Sequence, residues 1–547
     1  MTPLVPSWLA AHLPVLPVLL PALTALVMLV LSDPSGEIGH GDRRLVWRRR
    51  LSIGSAAVGL FLAVQLMLGA HEGGLAVYRM GDWPAPFGIV LVVDRLSALM
   101  LVMAYLIALP VLWYAAGGWD AQGRHFHAIF QFQLMGLSGA FVTGDLFNLF
   151  VFFEVLLIAS YVLLVHGQGE ARFKAGVHYV VLNLGASALF LIGVSLLYAM
   201  TGTLNMADLS LRVAKVGAEQ APVLQAAGLI LLVVFGLKAA VVPLYMWLPR
   251  TYAAASAPVA ALFAIMTKVG IYSIVRVHVV IFGEQAGASA LMAAPWLLPI
   301  ALTTGVLGVL GALAANSMAR MVAYLTVASV GTILAGVGLF TPGALSASLY
   351  YMVHSTLVIA GLFLLVELVA SQRGDAEDNL RPAQPVAQPV VLGLMMLLGA
   401  ASVTGLPPLP GFLGKLMILD SATGLPAQPW VWSVVLGVGF LSLIGLARAG
   451  TILFWNVLPD APKDGMACAS GASPRLIGAT LALLATGVAM AVFASPLKRY
   501  TDAAAMQLSD PAAYADAVLG DQGGARAETT RPYTGEGARP PAAHKEE

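Results

Sequence analysis

Two stretches of the sequence place a lysine close to prolines inside otherwise apolar segments. In "GLKAAVVPLYMWLP" (236–249) Lys238 precedes Pro243 by five residues, and in "TGLPPLPGFLGKLMILD" (404–420) Lys415 follows Pro410 by five residues. Proline removes a backbone hydrogen-bond donor and interrupts a helix, while a buried ammonium group needs a compensating partner. Each stretch therefore predicts a broken helix with a titratable amine beside the break. The predicted breaks lie at Pro243, Pro407, Pro408 and Pro410.

Three further ionisable residues lie deep in apolar segments: Glu154, Lys268 and His354. A charge at the bilayer centre costs about 2.5–3.5 kcal/mol, so each one needs a reason. A Glu and a Lys on neighbouring helices could form a purely structural ion pair. The set contains one acid, three lysines and a histidine, so pairing of opposite charges does not account for all of its members. The pKa of lysine, about 10.4 in water, falls on desolvation and recovers near a carboxylate, so such a row suits proton transfer.

The amino-acid composition indicates that these residues lie on membrane helices. The chain of 547 residues is 59% hydrophobic and only 10% charged, with a mean hydropathy of +0.85. Fourteen apolar stretches approach the roughly 20 residues that a membrane helix needs, so the sequence predicts an all-α polytopic membrane protein. The predicted spans 1 to 14 are 9–31, 51–70, 88–116, 126–144, 145–166, 174–200, 222–249, 253–283, 291–315, 320–340, 344–370, 388–420, 430–457 and 475–496.

The distribution of basic residues predicts the orientation. Connections that follow odd-numbered spans hold most Lys and Arg residues, including the five arginines of "DRRLVWRRR", whereas those after even-numbered spans hold only Arg79, Arg212 and Lys215. Cytoplasmic loops carry the positive excess, so both termini are expected on the outer face. The net charge of +1 argues against a nucleic-acid partner.

Cysteine and histidine usage argues against redox cofactors and metals. The single cysteine, Cys468, excludes an intrachain disulfide, a Cys-ligated zinc site and a Cys-ligated iron–sulfur cluster. His166, His178, His278 and His354 fall on different spans without a repeated pair. We therefore expect no cofactor and no metal site.

Two segments outside the spans have their own character. Residues 201–222 place Leu204, Met206, Leu209, Leu211 and Val213 among polar residues, which predicts a short amphipathic helix on the outer surface. From about 497 onward the chain is rich in Ala, Gly, Pro and charged residues, which predicts a disordered tail.

Four stretches carry a specific resemblance to a known family. They are "LKAAVVPLYMWLPRTYAAASAPVAALFAIMTKVGIYSIVR", "TGDLFNLFVFFEVLLIASYVLL", "HYVVLNLGASALFLIGVSLLYAMTGTLNMADL" and "TGLPPLPGFLGKLMIL". They resemble the antiporter-like subunits shared by respiratory complex I and the multisubunit Mrp (Mnh/Pha) cation/proton antiporters. The third and fourth most resemble the D subunits of the Mrp antiporters. The resemblance covers about 90–460.

The resemblance implies two inverted five-helix repeats, spans 4–8 and 9–13, with spans 7 and 12 broken. It also implies roles: Glu154 paired with Lys238, Lys268 as central carrier, His354 as relay and Lys415 as terminal carrier. The implied domain ranges are 1–125, 126–283 (first repeat), 284–457 (second repeat), 458–496 and 497–547 (tail).

The resemblance further implies a setting in the bacterial inner membrane. The implied partners are the A, B, C, E, F and G subunits of the antiporter, a monovalent cation (Na⁺ or K⁺), protons and membrane lipid. Tyr324 and Ser329 on span 10 are candidates for ordering water along the path. Asp145 is a candidate N-cap or proton-access residue, and Arg448 on span 13 a candidate for steering protons or binding lipid.

Two alternatives stay open at this point. The chain could be a proton-pumping subunit of complex I or of a membrane hydrogenase, since some relatives there keep a lysine at the position of Lys415. It could also be a non-transporting scaffold whose buried charges are structural. A membrane redox enzyme is disfavoured by the missing ligands.

Overall fold

The computed structural model describes residues 10–30, 43–83, 85–458 and 471–520. Cys468, most of the connection before span 14 and the tail after Gly520 lie outside the described residues. Within the described ranges the chain is almost entirely helical.

All fourteen predicted spans are helices, eleven long and apolar enough to cross a membrane and three shorter. Spans 1 to 6 are Leu16–Val30, Arg43–His71, Arg95–Ala115, Phe126–Val142, Leu146–Val165 and Glu170–Thr201. Spans 7 and 8 are Ala221–Ala239 with Trp247–Ala254, and Ala257–Phe263, Met266–Ile274 and Val275–Ile281. Spans 9 to 14 are Ala294–Ala314, Met318–Val337, Pro342–Ala370, Pro389–Thr404 with Pro410–Ser421, Gln428–Phe454 and Pro474–Val492.

Spans 8, 10 and 11 form the centre of the helix assembly. The apolar window of span 8 is wholly buried, and those of spans 10 and 11 are 89% and 94% buried, against 33% for spans 13 and 14. A helix that is apolar all round is typical of such a central position. Lys268 and His354 therefore lie on central helices, away from lipid.

The predicted interruptions of spans 7 and 12 are confirmed. The first half of span 7 ends at Ala239, and Ala240 adopts the left-handed conformation (φ 61°) before Pro243. The first half of span 12 ends at Thr404, with Gly405 left-handed (φ 86°), and the second half begins at Pro410. A left-handed residue is the usual end of a helix. The inverted-repeat relation between the two halves stays a prediction.

Span 8 is irregular in a way that the sequence pattern did not predict. It breaks between Phe263 and Met266, immediately before Lys268, and continues from Val275 to Ile281 as a π-helix. π-Helical turns occur frequently at functional sites. Lys268 therefore lies in a short regular segment between two distortions.

A small β-hairpin departs from the predicted all-α fold. Strand β1 (Ala76–Arg79) pairs antiparallel with β2 (Val90–Val93), with Tyr78 opposite Leu91. Span 3 was predicted from residue 88, but the sequence VLVV forms β2 and the helix begins at Arg95. β-Branched valines favour strands, and Asp94 caps the helix by accepting a hydrogen bond from Ser97 N (2.8 Å).

The amphipathic segment forms the predicted helix, Met206–Val213, capped by Asn205. Its expected position on the surface is wrong, because Met206, Leu209 and Val213 are buried to 1% exposure or less. The helix Pro511–Leu519, which follows span 14, packs over Met206–Val213 and buries it.

The prediction of a disordered tail from 497 is wrong for its first part. Two helices, Ala494–Leu508 and Pro511–Leu519, here called the C-terminal pair, follow span 14 and fold back on the body. The Tyr500 hydroxyl donates to Arg95 O (3.0 Å), and Gln507 Oε1 accepts from Arg95 N (3.1 Å). The sequence pattern missed the pair because many of its apolar residues are alanines, and its larger ones, including Tyr514 and Val518, are buried against the body of the protein.

A buried ion pair joins the hairpin end of span 3 to span 8. Arg276 in the π-helical turn donates to both Asp94 oxygens at 2.5 and 2.6 Å, and also to Ser97 Oγ (2.8 Å). The guanidinium lies over the rings of Tyr272 and Tyr514. The C-terminal half of span 8 is thereby fixed by span 3 and by the C-terminal pair.

A second ion pair lies at the other end of span 3 and joins it to the start of span 2. Asp120, in the connection after span 3, accepts from Arg49 at 2.5 and 2.7 Å and contacts His127 Nε2 at 3.0 Å. Burial acts to raise the pKa of the Asp120 carboxyl, but hydrogen bonds from Arg49 and His127 outweigh it and hold that pKa below the usual value. Arg49, at the start of span 2, thus has a structural role in addition to the topological one that the sequence predicts.

Candidate functional site

The first predicted group, Glu154 and Lys238, is joined through span 6. Lys238 Nζ donates to Asn183 Oδ1 (3.2 Å) and lies 5.5 Å from the Phe153 ring centroid. One turn later on span 6, Ser187 Oγ donates to the Glu154 carboxylate and to Asn183 O. The expected direct ion pair is not formed between these described residues. Each of them instead contacts span 6, Lys238 through the Asn183 side chain and Glu154 through the Ser187 hydroxyl.

Lys268 differs from Lys238 and Lys415 in having no hydrogen-bond partner in the described part of the chain. Its side chain is fully buried, and Nζ has no hydrogen bond among the described residues. Gly270, one half-turn on, lets span 8 approach span 7, since a Cβ there would lie 2.5 Å from Ala239 N. Span 8 is thus packed closely, two residues after Lys268, against the last turn of the half-helix that bears Lys238.

Lys415 is held by the broken end of span 12. Its Nζ donates to Val403 O (3.0 Å) and Thr404 O (2.9 Å), two carbonyls in the last turn of the first half-helix. Carbonyls at a helix C-terminus have no partner within the helix and carry partial negative charge. The break therefore supplies the acceptor that a buried ammonium needs, and this explains why proline and lysine occur together.

His354 approaches the same broken end from span 11. Its Nε2 lies 3.1 Å from Ser402 O, one residue before the acceptors of Lys415, while Nδ1 has no partner in the described part of the chain. His354 and Lys415 both line a small cavity, together with Ser329, Tyr351 and Ser442 among others. The structure thus brings His354, Lys415 and Ser329 together.

The remaining candidates have other surroundings. Tyr324 packs against Gly311 of span 9, and it is not among the residues that line the cavity. Asp145 caps span 5 by accepting from Asn148 N (2.9 Å). Arg448 Nη2 donates to Ala315 O (2.9 Å), just after the end of span 9. For Asp145 and Arg448 a helix-terminating contact accounts for the residue.

Sequence reasoning missed three polar residues of the site. Asn183 and Ser187 are four residues apart in "LNLGAS", the spacing that puts both on one face of span 6. Tyr351 lies three residues before His354, and their rings are 5.9 Å apart. These three residues could have been found as polar side chains spaced three or four apart in apolar helices that also carry, or adjoin, a charged candidate.

Gly411 provides a test of the close approach at the span 12 break. A Cβ at this position would lie 1.9 Å from Ser402 O and 2.8 Å from His354 Nε2. Gly411→Ala is therefore expected to push the two half-helices apart and to destabilise the chain by about 1–3 kcal/mol. The measurement is denaturant unfolding. Gly437→Ala on span 13 is the matched control, since nothing lies within 4 Å of its added Cβ; equal behaviour of both variants contradicts the expectation.

Comparison with known proteins places this geometry in a family. Residues 143–445 match the family described as "NADH:quinone oxidoreductase/Mrp antiporter, TM". The chain is 41% identical to the D subunit of a probable K(+)/H(+) antiporter of Rhizobium meliloti (strain 1021), with 94% of this chain and 98% of that protein covered. It is 36% identical to the D subunit of the Na(+)/H(+) antiporter of Bacillus subtilis (strain 168), with 92% and 99% covered.

Solved structures agree with this assignment. A chain of the Mrp complex from Dietzia sp. DQ12-45-1b superimposes with a TM-score of 0.79 at 27% identity, covering 93% of this chain and 100% of that one. A chain of respiratory complex I from Thermus thermophilus shares the fold, with a TM-score of 0.74 at 24% identity and coverage of 91% and 99%. The chain therefore belongs to the antiporter family shared by NADH:quinone oxidoreductase and the Mrp complexes, as a transporter subunit of the Mrp D type.

Proposed function

We propose that this chain carries protons for a Na⁺/H⁺ or K⁺/H⁺ antiporter along Glu154, Lys238, Lys268, His354 and Lys415. The observation that supports it most is the difference in partners among the three buried lysines. Lys238 has one amide acceptor, Lys268 has no acceptor among the described residues and Lys415 has two carbonyls. A purely structural set of amines would be fully satisfied, because an unpaired buried charge is costly. The unsatisfied member is the one that must release its proton most readily.

The steps follow from these contacts. Lys238 holds a proton while the Glu154 carboxylate stays in place, with Asn183 and Ser187 of span 6 holding the amine and the carboxylate respectively. When the Glu154 charge is drawn away, the ammonium is less stabilised, and the proton passes through water to the free amine of Lys268. From there it moves by His354, whose Nδ1 is unpartnered in the described part of the chain and whose Nε2 faces the span 12 break, to Lys415. Return of Glu154 resets the link.

Glu154 also suggests where partner subunits act. Its side chain is only partly buried at the middle of span 5, next to the exposed Ile158, and a carboxylate facing lipid there would be costly. We infer that a neighbouring subunit of the complex covers this face and supplies the charge that draws on Glu154. The proposed setting is the bacterial inner membrane, with the A, B, C, E, F and G subunits as partners and both termini outside.

Flux measurements in vesicles that contain the whole complex test the proposal. Lys238→Ala is expected to lower cation-driven proton flux by about 100-fold at unchanged complex assembly, and the ion dependence of the wild type identifies the cation. The control is Lys215→Ala, an exposed lysine in the connection before span 7. Undiminished flux in Lys238→Ala would place the chain among scaffold subunits.

A further inference from the structure

A wide cleft lies away from the row of amines, on the face that we propose to be cytoplasmic. It has a volume of about 560 Å³ and lies between the start of span 6, the end of span 7, the start of span 10 and the connection between spans 11 and 12. Four basic side chains line it, namely Lys174, His178, Arg250 and Arg320. We call it the Arg250–Arg320 cleft.

The basic groups of the cleft are largely unengaged. Among the described residues the His178, Arg250 and Arg320 side chains have no hydrogen bond or ion pair, and all three are exposed. Lys174 contacts Glu170, but both side chains are more than three-quarters exposed, and such pairs are weak. The guanidinium groups of Arg250 and Arg320, on spans 7 and 10, are thus free of partners among the described residues and can attract an anion.

Two acidic residues of the cleft do not neutralise it. Asp378 Oδ2 accepts from Ala319 N (2.9 Å) and so satisfies the start of span 10. Glu377 is exposed on the 11–12 connection. With His178 neutral, the three charged bases Lys174, Arg250 and Arg320 against these two carboxylates leave the lining with a formal charge of +1.

The surroundings of the cleft indicate the class of anion. Four alanines, at 171 and 175 of span 6 and at 253 and 254 of span 7, form one wall of the cleft. From there the exposed apolar side chains of Val177, Val181 and Leu184, each at least 62% exposed, run along span 6 toward the middle of the membrane. Residues three and four apart share one helix face. The cleft therefore offers basic groups at headgroup level and a continuous apolar track below them.

We propose that the Arg250–Arg320 cleft binds the phosphodiester headgroup of an anionic phospholipid, with an acyl chain along the Val177–Val181–Leu184 face of span 6. Basic pockets between membrane helices suit such headgroups, and arginine favours phosphate by bidentate contact. Arg250 belongs to the second half of broken span 7 and Arg320 to span 10. The bound phosphate would thus connect the two halves of the chain.

Spin-labelled lipids test this assignment in the complete complex reconstituted in phosphatidylcholine vesicles. The wild type is expected to immobilise spin-labelled phosphatidylglycerol in preference to spin-labelled phosphatidylcholine. Arg250→Gln and Arg320→Gln should each lower this selectivity by about fivefold, and Arg50→Gln, an exposed arginine of the same face outside the cleft, should leave it unchanged. Exposed Arg→Gln changes have little effect on folding.

Three results would overturn the assignment. Unchanged selectivity in the Arg250→Gln/Arg320→Gln double variant would exclude a headgroup site in the cleft. Complete displacement of the labelled phosphatidylglycerol by inorganic phosphate would assign the cleft to free phosphate. Absence of selectivity in the wild type, with thiol cross-linking of an Arg250→Cys variant to another subunit, would assign it to a protein partner.

Discussion

Cation-driven proton flux is expected to fall by at least about 100-fold when Lys268 is replaced by methionine. Methionine has a similar length and no titratable group, so the variant removes the proton acceptor between Lys238 and His354. Lys268 has no hydrogen bond to lose in the described structure, and its side chain is fully buried. Flux in vesicles of the assembled complex, driven by a cation gradient, is the measurement.

The same geometry separates this loss from misfolding. Replacing an unpaired buried amine by an apolar side chain of similar volume is neutral or stabilising, so the midpoint of thermal unfolding should not decrease. Lys215→Met, at an exposed position, serves as the control for expression and for loss of a positive charge. Normal flux through a stably folded Lys268→Met complex would remove Lys268 from the path and refute its central role.

The Asp94→Asn variant is expected to lose about 3–5 kcal/mol of folding free energy, because Arg276 would remain buried without its carboxylate. Asparagine is as good an N-cap as aspartate, so the cap on span 3 is retained and the ion pair alone is removed. Denaturant unfolding of the purified chain measures the effect.

Two variants sharpen this second experiment. Asp82→Asn changes an exposed aspartate close to the hairpin and should shift the free energy of unfolding by less than about 0.5 kcal/mol. The Asp94→Leu/Arg276→Leu double variant should recover part of the lost stability, since the buried charge is then gone. A loss below about 1 kcal/mol in Asp94→Asn would mean that Ser97 and the Tyr272 hydroxyl suffice to satisfy Arg276.

The helix positions and the broken helices followed from the sequence because both depend on local composition. Apolar runs of membrane length define spans wherever they occur, and the effect of Pro243 and Pro410 on a helix does not depend on distant residues. The depth of Lys238, Lys268 and Lys415 within these runs predicted that all three are buried. The structure confirms that burial at 6%, 0% and 8% exposure.

Features that depend on contacts between distant segments could not be predicted in this way. The C-terminal pair contains no apolar run of membrane length, and its order depends on contacts with Arg95 and Arg276 from spans 3 and 8. The contacts of Lys238 with Asn183 and of Glu154 with Ser187 require spans 5, 6 and 7 to meet at the same level along their axes. The polar spacing of Asn183 and Ser187 does not indicate which charged residue each one meets. The distortion of span 8 likewise has no proline to indicate it.

The way in which Lys415 is held has a consequence for how this protein can vary in evolution. Its two acceptors are main-chain carbonyls of residues 403 and 404, and every amino acid provides the same carbonyl at those positions. Mutational drift in these two side chains leaves the acceptors intact. Selection instead falls on the residues that shape the interruption, above all Gly405, whose left-handed conformation (φ 86°) other side chains rarely adopt. The contact therefore depends on Gly405 and on Pro407, Pro408 and Pro410, none of which provides an acceptor for Lys415.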